Sequence, residues 1–263
     1  MLRRGKDEKV FHGVLVSVAV LAAISMLLPF LNLVAVSFSG VKPILHHEVF
    51  IWPKDFQTTT MEYVVTSPQM LSALLNTVYI TVIGTALSLT VTALMGYALS
   101  KKYIKVRFIV LLAVTFTMLF KPGIIPTYLV VRGVGLLDTR WALMIPMLMN
   151  PFYLIIMKTF FQGLPQDVEE SAIIDGAGTG TIFMRIVVPL SMNGLAVILL
   201  FYAVARWNTF FHAVMYINDM SKYPLQVLLR EIIVLGTNLD SSQGASELVR
   251  DVPAENIKAA TIV

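Results

Sequence analysis

Three stretches of this chain carry no Asp, Glu, Lys or Arg: Gly13 to Val41, Tyr63 to Ser100, and Ile186 to Ala205. Each is apolar enough to supply a helix of about 20 residues, the length that crosses a bilayer's hydrocarbon core. Backbone amides inside lipid have no water to bond, so such runs fold as helices or as strands of a closed barrel. Barrel strands alternate apolar and polar residues, and these runs do not. The expected class is all-α and polytopic. Composition agrees, with 57% hydrophobic and only 14% charged among 263 residues, against about a quarter charged in a soluble domain.

Spans are expected near 12–38, 72–100, 107–131, 140–161 and 187–212, with a sixth beginning near Pro253. Too little chain follows Pro253 for a crossing, so the last span is expected to be truncated. The basic head MLRRGKDEKVFHG suggests a signal peptide. However, the run to Phe38 exceeds the usual apolar region of about 7–15 residues, and no small-x-small cleavage site follows. A retained first span is expected. Arg3, Arg4, Lys6 and Lys9 precede it, and Lys101, Lys102, Lys105 and Arg107 follow the second span. The positive-inside rule places both groups in the cytoplasm. The 40–70 and 213–253 segments are then outside, and the 162–186 loop is inside.

Several chemistries are excluded or weak. There are no cysteines, so disulfides and thiolate sites are absent. The net charge of +4 sits in short loops beside spans and is not a nucleic-acid signal. His46 and His47 are adjacent in an outer loop, a spacing that suits surface residues better than metal ligands, and no metal site is expected. The expected third span contains Lys121-Pro122-Gly123 and Pro126, and the fourth contains Pro146 and Asn150-Pro151. Proline kinks a helix, and irregular membrane backbone survives where protein or a wet cavity surrounds it. Simple kinks and a translocation path are both open.

The inner loop reads EESAIIDGAGTGTIFMRIVVPL from Glu169 to Leu190. Leu164-Pro165 opens a short helix, Asp167, Glu169 and Glu170 suit its dipole, and Gly176 suits a left-handed cap. Val168 and Ala172 share a face with Ile173 and Ile174 beside it, which leaves small and acidic residues for the cytoplasm. Gly176, Gly178 and Gly180 lack the spacing and the lysine of a Walker A loop, and no strand precedes them as a dinucleotide fingerprint needs. Glu169 and Glu170 point to different helix faces, so paired acid–base catalysis is weak.

Glu170-Ser171-Ala172, three residues, Gly176, nine residues, Ile186, one residue, Val188 and Pro189 resembles the EAA signature, E-A-A-x3-G-x9-I-x-L-P. That signature marks membrane permease subunits of bacterial ABC importers; Ser171 and Val188 are mild departures from it. SALLNTVYITVIGTALSLTVTALMGYALSKK is similar to the opening of the permease core. GIIPTYLVVRGVGLLDTRWALMIP and LFYAVARWNTFFHAVMYINDMSKYPLQVLLREII resemble the carbohydrate-uptake branch, nearest the maltose-type second permeases and relatives handling complex sugars. The resemblance covers roughly residues 10 to 263.

The resemblance implies an ABC importer type I permease with six transmembrane helices in the bacterial inner membrane, its N-terminus cytoplasmic. Residues 1–71 would be the tail, first span and outer loop, and 72–263 the permease core. The partners it implies are a second homologous permease, two cytoplasmic ATPase subunits and an extracytoplasmic solute-binding protein. This chain would be non-catalytic and hold no cofactor, with ATP and Mg bound by the ATPases. The 164–178 helix would be the coupling helix, with Glu169, Glu170, Ser171, Ala172, Asp175 and Gly176 as its coupling residues.

The expected substrate path takes in Lys121, Asn150, Asn193, Tyr202, Arg206, Trp207 and Asn208. A straight helix puts Arg206 roughly 26 Å beyond Pro189, near the outer surface where it would snorkel, and puts Trp207 in an aromatic belt. Related permeases tend to carry a small or neutral residue at Lys121 and a His or other residue at Arg206. The added positive charge suggests an anionic, uronate-type oligosaccharide. An ion-coupled secondary transporter, a membrane-embedded enzyme and an ABC permease for another solute are the alternatives. The first two lack support, because no Asp or Glu lies within the expected spans.

Overall fold

The computed structural model describes residues 6–232 and Ala259. Helices and loops account for the described residues, and no strand occurs among them. The chain divides into two compact units, Met1–Leu71 with Leu228–Val263, and Ser72–Val227.

In the first unit, α1 (Lys6–Ser37) is apolar from Phe11 onward and exposed almost throughout from Phe11 to Leu31, as a helix bathed in lipid is. The chain then folds back on its end. Ala35, Ile44 and Val49 form a small core, and Asn32 Nδ2 donates to the Phe50 carbonyl at 2.7 Å. Ser39 donates to the Ala35 carbonyl at 2.6 Å and accepts from the Lys54 amide at 3.1 Å. Short helices α2 (Val41–Leu45) and α3 (Thr59–Thr66) occupy what the sequence suggested as an outer loop. His46 and His47 are exposed there.

The second unit is organised by α4 (Pro68–Ser100). Ser67 accepts from the Met70 amide at 3.2 Å and Pro68 follows, the combination that starts a helix. Along α4 the inward face is small or polar: Asn76, Thr77, Gly84, Thr85, Ser88, Thr92 and Gly96 are buried. Leu75, Val78, Val82 and Leu94 face outward. This inversion of the soluble pattern suits a helix whose outer surface meets lipid and whose inner surface must let backbones approach. A Cβ on Gly96 would come within 3.3 Å of the Lys158 backbone nitrogen.

Three expected spans differ from the fold. The third is two helices, α5 (Arg107–Leu119) and α6 (Ile124–Gly133), because Lys121-Pro122-Gly123 ends helical geometry and Gly123 takes φ +83°. The fourth is helical at membrane-crossing pitch only in α7 (Pro151–Gln162), about 18 Å long; before it come a 3₁₀ turn, Arg140–Leu143, and a non-helical run to Asn150.

The fifth span starts earlier and bends. Helix α8 (Gln166–Ile174) is followed by α9 (Thr179–Ile182), a π-helical turn at Phe183–Val187 and α10 (Val188–Leu190). Then α11 (Met192–Trp207) leaves at 82°. A proline at 189, which removes a backbone donor, and a π turn are the usual causes of so sharp a kink. Among the described residues, two helices are long and apolar enough to cross a membrane, or up to three if the bent pair is one span. The expected sixth span near Pro253 lies outside the described residues.

Beyond α11 come α12 (Phe211–Tyr216), a 3₁₀ turn at Met220–Lys222 and α13 (Leu225–Arg230). This return segment is stitched to the start of α4. Asn76 Nδ2 donates to the Ser221 carbonyl at 2.8 Å and Asn76 Oδ1 accepts from Arg140 Nε at 2.8 Å. Asp138, at φ +58°, accepts from the Asn218 and Asp219 amides at 3.1 and 3.0 Å and from Lys222 Nζ at 3.2 Å.

Candidate functional site

Two places in the second unit carry chemistry: the loop helix α8 with its seat, and the non-helical run before α7.

Helix α8 begins one residue after the expected proline, with Pro165 at the cap. It ends in a Schellman motif: the Gly176 amide donates to the Ile173 carbonyl at 3.0 Å and Ala177 to Ala172 at 2.9 Å. Gly176 takes φ +81° with open space where a Cβ would stand, so glycine is there for its backbone. Ala172 is the residue of α8 that packs inward, with Leu164 and Ala177 beside it, onto a core of Tyr97, Phe161, Phe183, Tyr202 and their neighbours. The expected apolar inner face is corrected: Val168 and Ile173 are exposed and Ile174 is 85% exposed. Glu170, Ser171 and Asp175 are also exposed, and Ser171 Oγ donates to the Asp167 carbonyl at 2.8 Å. The exposed side of α8 thus carries Ile173 and Ile174 beside Glu170 and Asp175.

Glu169 turns the other way. Its carboxylate is ion-paired with Lys101 and accepts from the Tyr97 hydroxyl at 3.3 Å. Neither Tyr97 nor Lys101 stands out in the sequence as part of this site. The charge cluster Lys101–Arg107 reads as topology, and a tyrosine at the end of a span reads as an interface residue.

At the second place, Arg206 in the last turn of α11 is 3% exposed. The expectation that it snorkels is overturned, because the bend at Ser191 invalidates a straight-helix distance from Pro189. Its guanidinium donates to the carbonyls of Leu143, of Met144 at 3.1 Å and of Met147 at 2.7 Å, and to Ser88 Oγ at 2.9 Å. A non-helical run at membrane depth leaves carbonyls without partners, and Arg206 supplies them.

One turn earlier, the Tyr202 hydroxyl pairs with Thr92 Oγ1 at 2.7 Å and accepts from the Asn150 amide at 3.0 Å. Tyr202 packs edge-on to Tyr153 at 5.0 Å. Asn150 in turn caps α7, its Oδ1 accepting from the Phe152 amide at 2.9 Å. Residues 202 and 206, one turn apart on a helix, therefore clasp both ends of the run from Met144 to Asn150.

The structure thus brings Asn150, Tyr202 and Arg206 together. Asn193 is exposed near the opposite end of α11, and Lys121 is exposed in the break between α5 and α6. Trp207 is exposed at the end of α11, and Asn208 caps that end with Nδ2 donating to the Val204 carbonyl at 2.8 Å. Among the described residues no group of three or more His, Asp or Glu is placed to hold a metal ion.

Known proteins place this arrangement. The family described as "Binding-protein-dependent transport system inner membrane component" matches residues 92–237. Protein LplC of Bacillus subtilis (strain 168) is 47% identical over 241 residues, 90% of this chain and 80% of the relative. The polygalacturonan/rhamnogalacturonan transport system permease protein YtcP of the same organism is 40% identical over 256 residues, 97% of this chain and 90% of the relative. A crystal structure of a bacterial ABC transporter involved in the import of the acidic polysaccharide alginate aligns with a TM-score of 0.92 at 30% identity. That alignment covers 100% of this chain and 93% of the other. The chain belongs to the binding-protein-dependent transport system inner membrane components, the permease subunits of ABC importers.

Proposed function

We propose that this chain forms half of the path by which an anionic, uronate-type oligosaccharide enters a bacterium. In this reading it pairs with a second, homologous permease, receives sugar from an extracytoplasmic binding protein, and is driven by two cytoplasmic ATPase subunits. The ATPases hold the ATP and Mg, and this chain holds no cofactor. The N-terminus and α8 lie in the cytoplasm, which the cations flanking α1 and following α4 favour. The observation that carries the reading is α8: a nine-residue helix between membrane segments that exposes Ile173, Ile174, Glu170 and Asp175. In the energy cycle it serves as a lever, since ATP binding elsewhere must reach this chain through a surface contact.

Support for the substrate class comes from two similar proteins, one a polygalacturonan/rhamnogalacturonan transport system permease and the other part of an importer of the acidic polysaccharide alginate. Because main-chain carbonyls and Ser88 occupy Arg206, the cationic contact for a sugar carboxylate falls to exposed Lys121. Two experiments test these parts. Gly176→Val forces a β-branched residue into left-handed geometry, at about 1–2 kcal/mol, without a clash. ATP-driven uptake in proteoliposomes is expected to fall while the chain still inserts; unchanged uptake refutes the lever. Lys121→Ala is expected to lower uptake of a uronate oligosaccharide more than of its carboxyl-reduced counterpart, and equal loss of both refutes charge recognition there.

A further inference from the structure

Glu169 precedes the EAA-like residues directly, yet it is the one acid of α8 that its own chain occupies. Its carboxylate and the Lys101 ammonium are 14% and 17% exposed as side chains, so solvent and salt screen the pair little. Lys101 also lies 4.4 Å from the centroid of the Tyr97 ring, and the Tyr97 hydroxyl reaches the same carboxylate oxygen as Lys101. Three groups from two elements therefore form a closed triangle, with one carboxylate meeting an ammonium and a hydroxyl while the ring covers the ammonium.

The triangle stands on a packed base. The Tyr97 ring is edge-on to Phe161, the last turn of α7, at 6.0 Å, and 5.1 Å from Phe183, which opens the π turn. Phe161 and Phe183 meet each other at 6.4 Å. Tyr97 and Lys101 are one helical turn apart at the exit of α4, whose last carbonyls are closed by Ser100 and Lys101 bonding back to Tyr97 and Ala98. The ends of α4 and α7 and the π turn meet at this point, and α8 reaches it through Glu169.

We propose that Tyr97, Lys101 and Glu169 are a latch that fastens the loop helix to α4, so that a push on α8 moves the permease core instead of swinging the helix on its connections. This rests on the reading of α8 as the lever, and assigns Glu169 to positioning rather than to contact with the ATPase. The division of labour is chemical: Glu170, Asp175, Ile173 and Ile174 face outward for the partner, and Glu169 faces inward. An unlatched helix still docks but transmits less.

The test uses the assembled importer in proteoliposomes, with co-purification of the ATPase, ATP hydrolysis and sugar uptake measured on each sample. Glu169→Gln, Lys101→Met and Tyr97→Phe are expected to retain the ATPase and to hydrolyse ATP. Sugar moved per ATP should fall about tenfold for the first two, a loss within the range typical of a coupling free energy, and less for Tyr97→Phe, which keeps the ring. Exchanging the charges in Lys101→Glu/Glu169→Lys is expected to restore much of the ratio, which a merely misfolded loop would not do.

Wild-type ratios in the single variants overturn the latch. Loss of the ATPase in Glu169→Gln without recovery in the exchanged pair also overturns it, making Glu169 a partner contact. Ile174→Arg and Glu170→Arg separate this from the underlying reading. If both still co-purify and couple, α8 is not the docking helix and the latch falls with it.

Discussion

Replacing Arg206 by methionine tests the assignment of this residue to the broken span rather than to the sugar. Methionine keeps an unbranched apolar stem, two atoms shorter, and donates nothing. The buried carbonyls of Leu143 and Met144, the half-buried carbonyl of Met147 and the Ser88 hydroxyl lose their partner. Each orphaned buried acceptor costs about 1–3 kcal/mol, so the two buried carbonyls cost about 2–6 kcal/mol before relaxation, and the half-buried one less. Desolvating a guanidinium is itself unfavourable by several kcal/mol, and methionine removes that penalty. The expected net loss is about 3 kcal/mol, the lower end for deleting one partner of a buried charged contact.

Ser88→Ala removes a single bond and should cost about 1 kcal/mol. In the Arg206→Met background it should cost almost nothing, because the two share one interaction. Thermal unfolding of the purified importer reads both numbers, and amide exchange across 144–150 shows whether the run loosens. The reasoning is refuted if Arg206→Met unfolds like wild type yet selectively loses uptake of anionic sugar, for then the guanidinium serves the substrate.

Other perturbations follow from the same geometry. At Gly84 a Cβ would stand 3.3 Å from both Arg206 Nε and Met144 Cγ, so Gly84→Val should overpack the clasp and cost about 1–3 kcal/mol; a melting temperature equal to wild type would count against so close an approach. Asp138 is held below the usual carboxylate range, first by the Asp219 amide and then by Asn218 and Lys222, while Asp219 is lowered chiefly by the Ser221 hydroxyl. Depressed carboxylates contribute stability above their unfolded value of about 3.9 and lose it as pH falls through the lower folded one. Asp138→Asn, which tolerates the left-handed backbone, should therefore melt below wild type at neutral pH and converge with it in acid. Lys222, raised chiefly by Asp219, contributes fully below its unfolded value of about 10.4, and that share fades only as pH rises through the raised value.

The sequence discloses α1 and α4 because lipid imposes a simple rule: no charge for the length of a span. It discloses the loop helix through the spacing of Glu170 and Gly176, where local chemistry fixes a cap; it does not disclose the bend after Pro189, because a proline also suits the first turn of a straight span. It does not disclose that Ile173 and Ile174 face outward, since periodicity over so short a helix cannot say which side is covered. Glu169, Lys101 and Tyr97 are invisible as a group, because each has a complete local explanation and only the packing joins them. Arg206 misleads for a related reason. A polar residue in a span suggests water or substrate, but its partners are backbone carbonyls, which every residue has and no sequence marks. Prolines mark the breaks in the third and fourth spans, yet not their extent, because the length of a non-helical run depends on what satisfies its carbonyls.

The two places in the second unit are ends of one packed body. Ala172 and Ala177 rest on the cluster that holds Tyr97, Phe161, Phe183 and Tyr202, and the Tyr202 hydroxyl holds the Asn150 amide at the far side. Interiors packed at crystal density transmit displacement rather than absorb it. Helix α11 carries both Tyr202 and Arg206, so a tilt of that helix as a rod moves the whole run from Leu143 to Asn150 with it. At the 82° bend beside Ser191 a π turn and a proline interrupt the helix, and the Ser191 hydroxyl is buried without a hydrogen-bond partner. Helix-breaking residues thus sit between the loop helix α8 and the rod that bears the clasp. Pro189 lies at the bend, while Arg206 satisfies the carbonyls of the run packed beyond it.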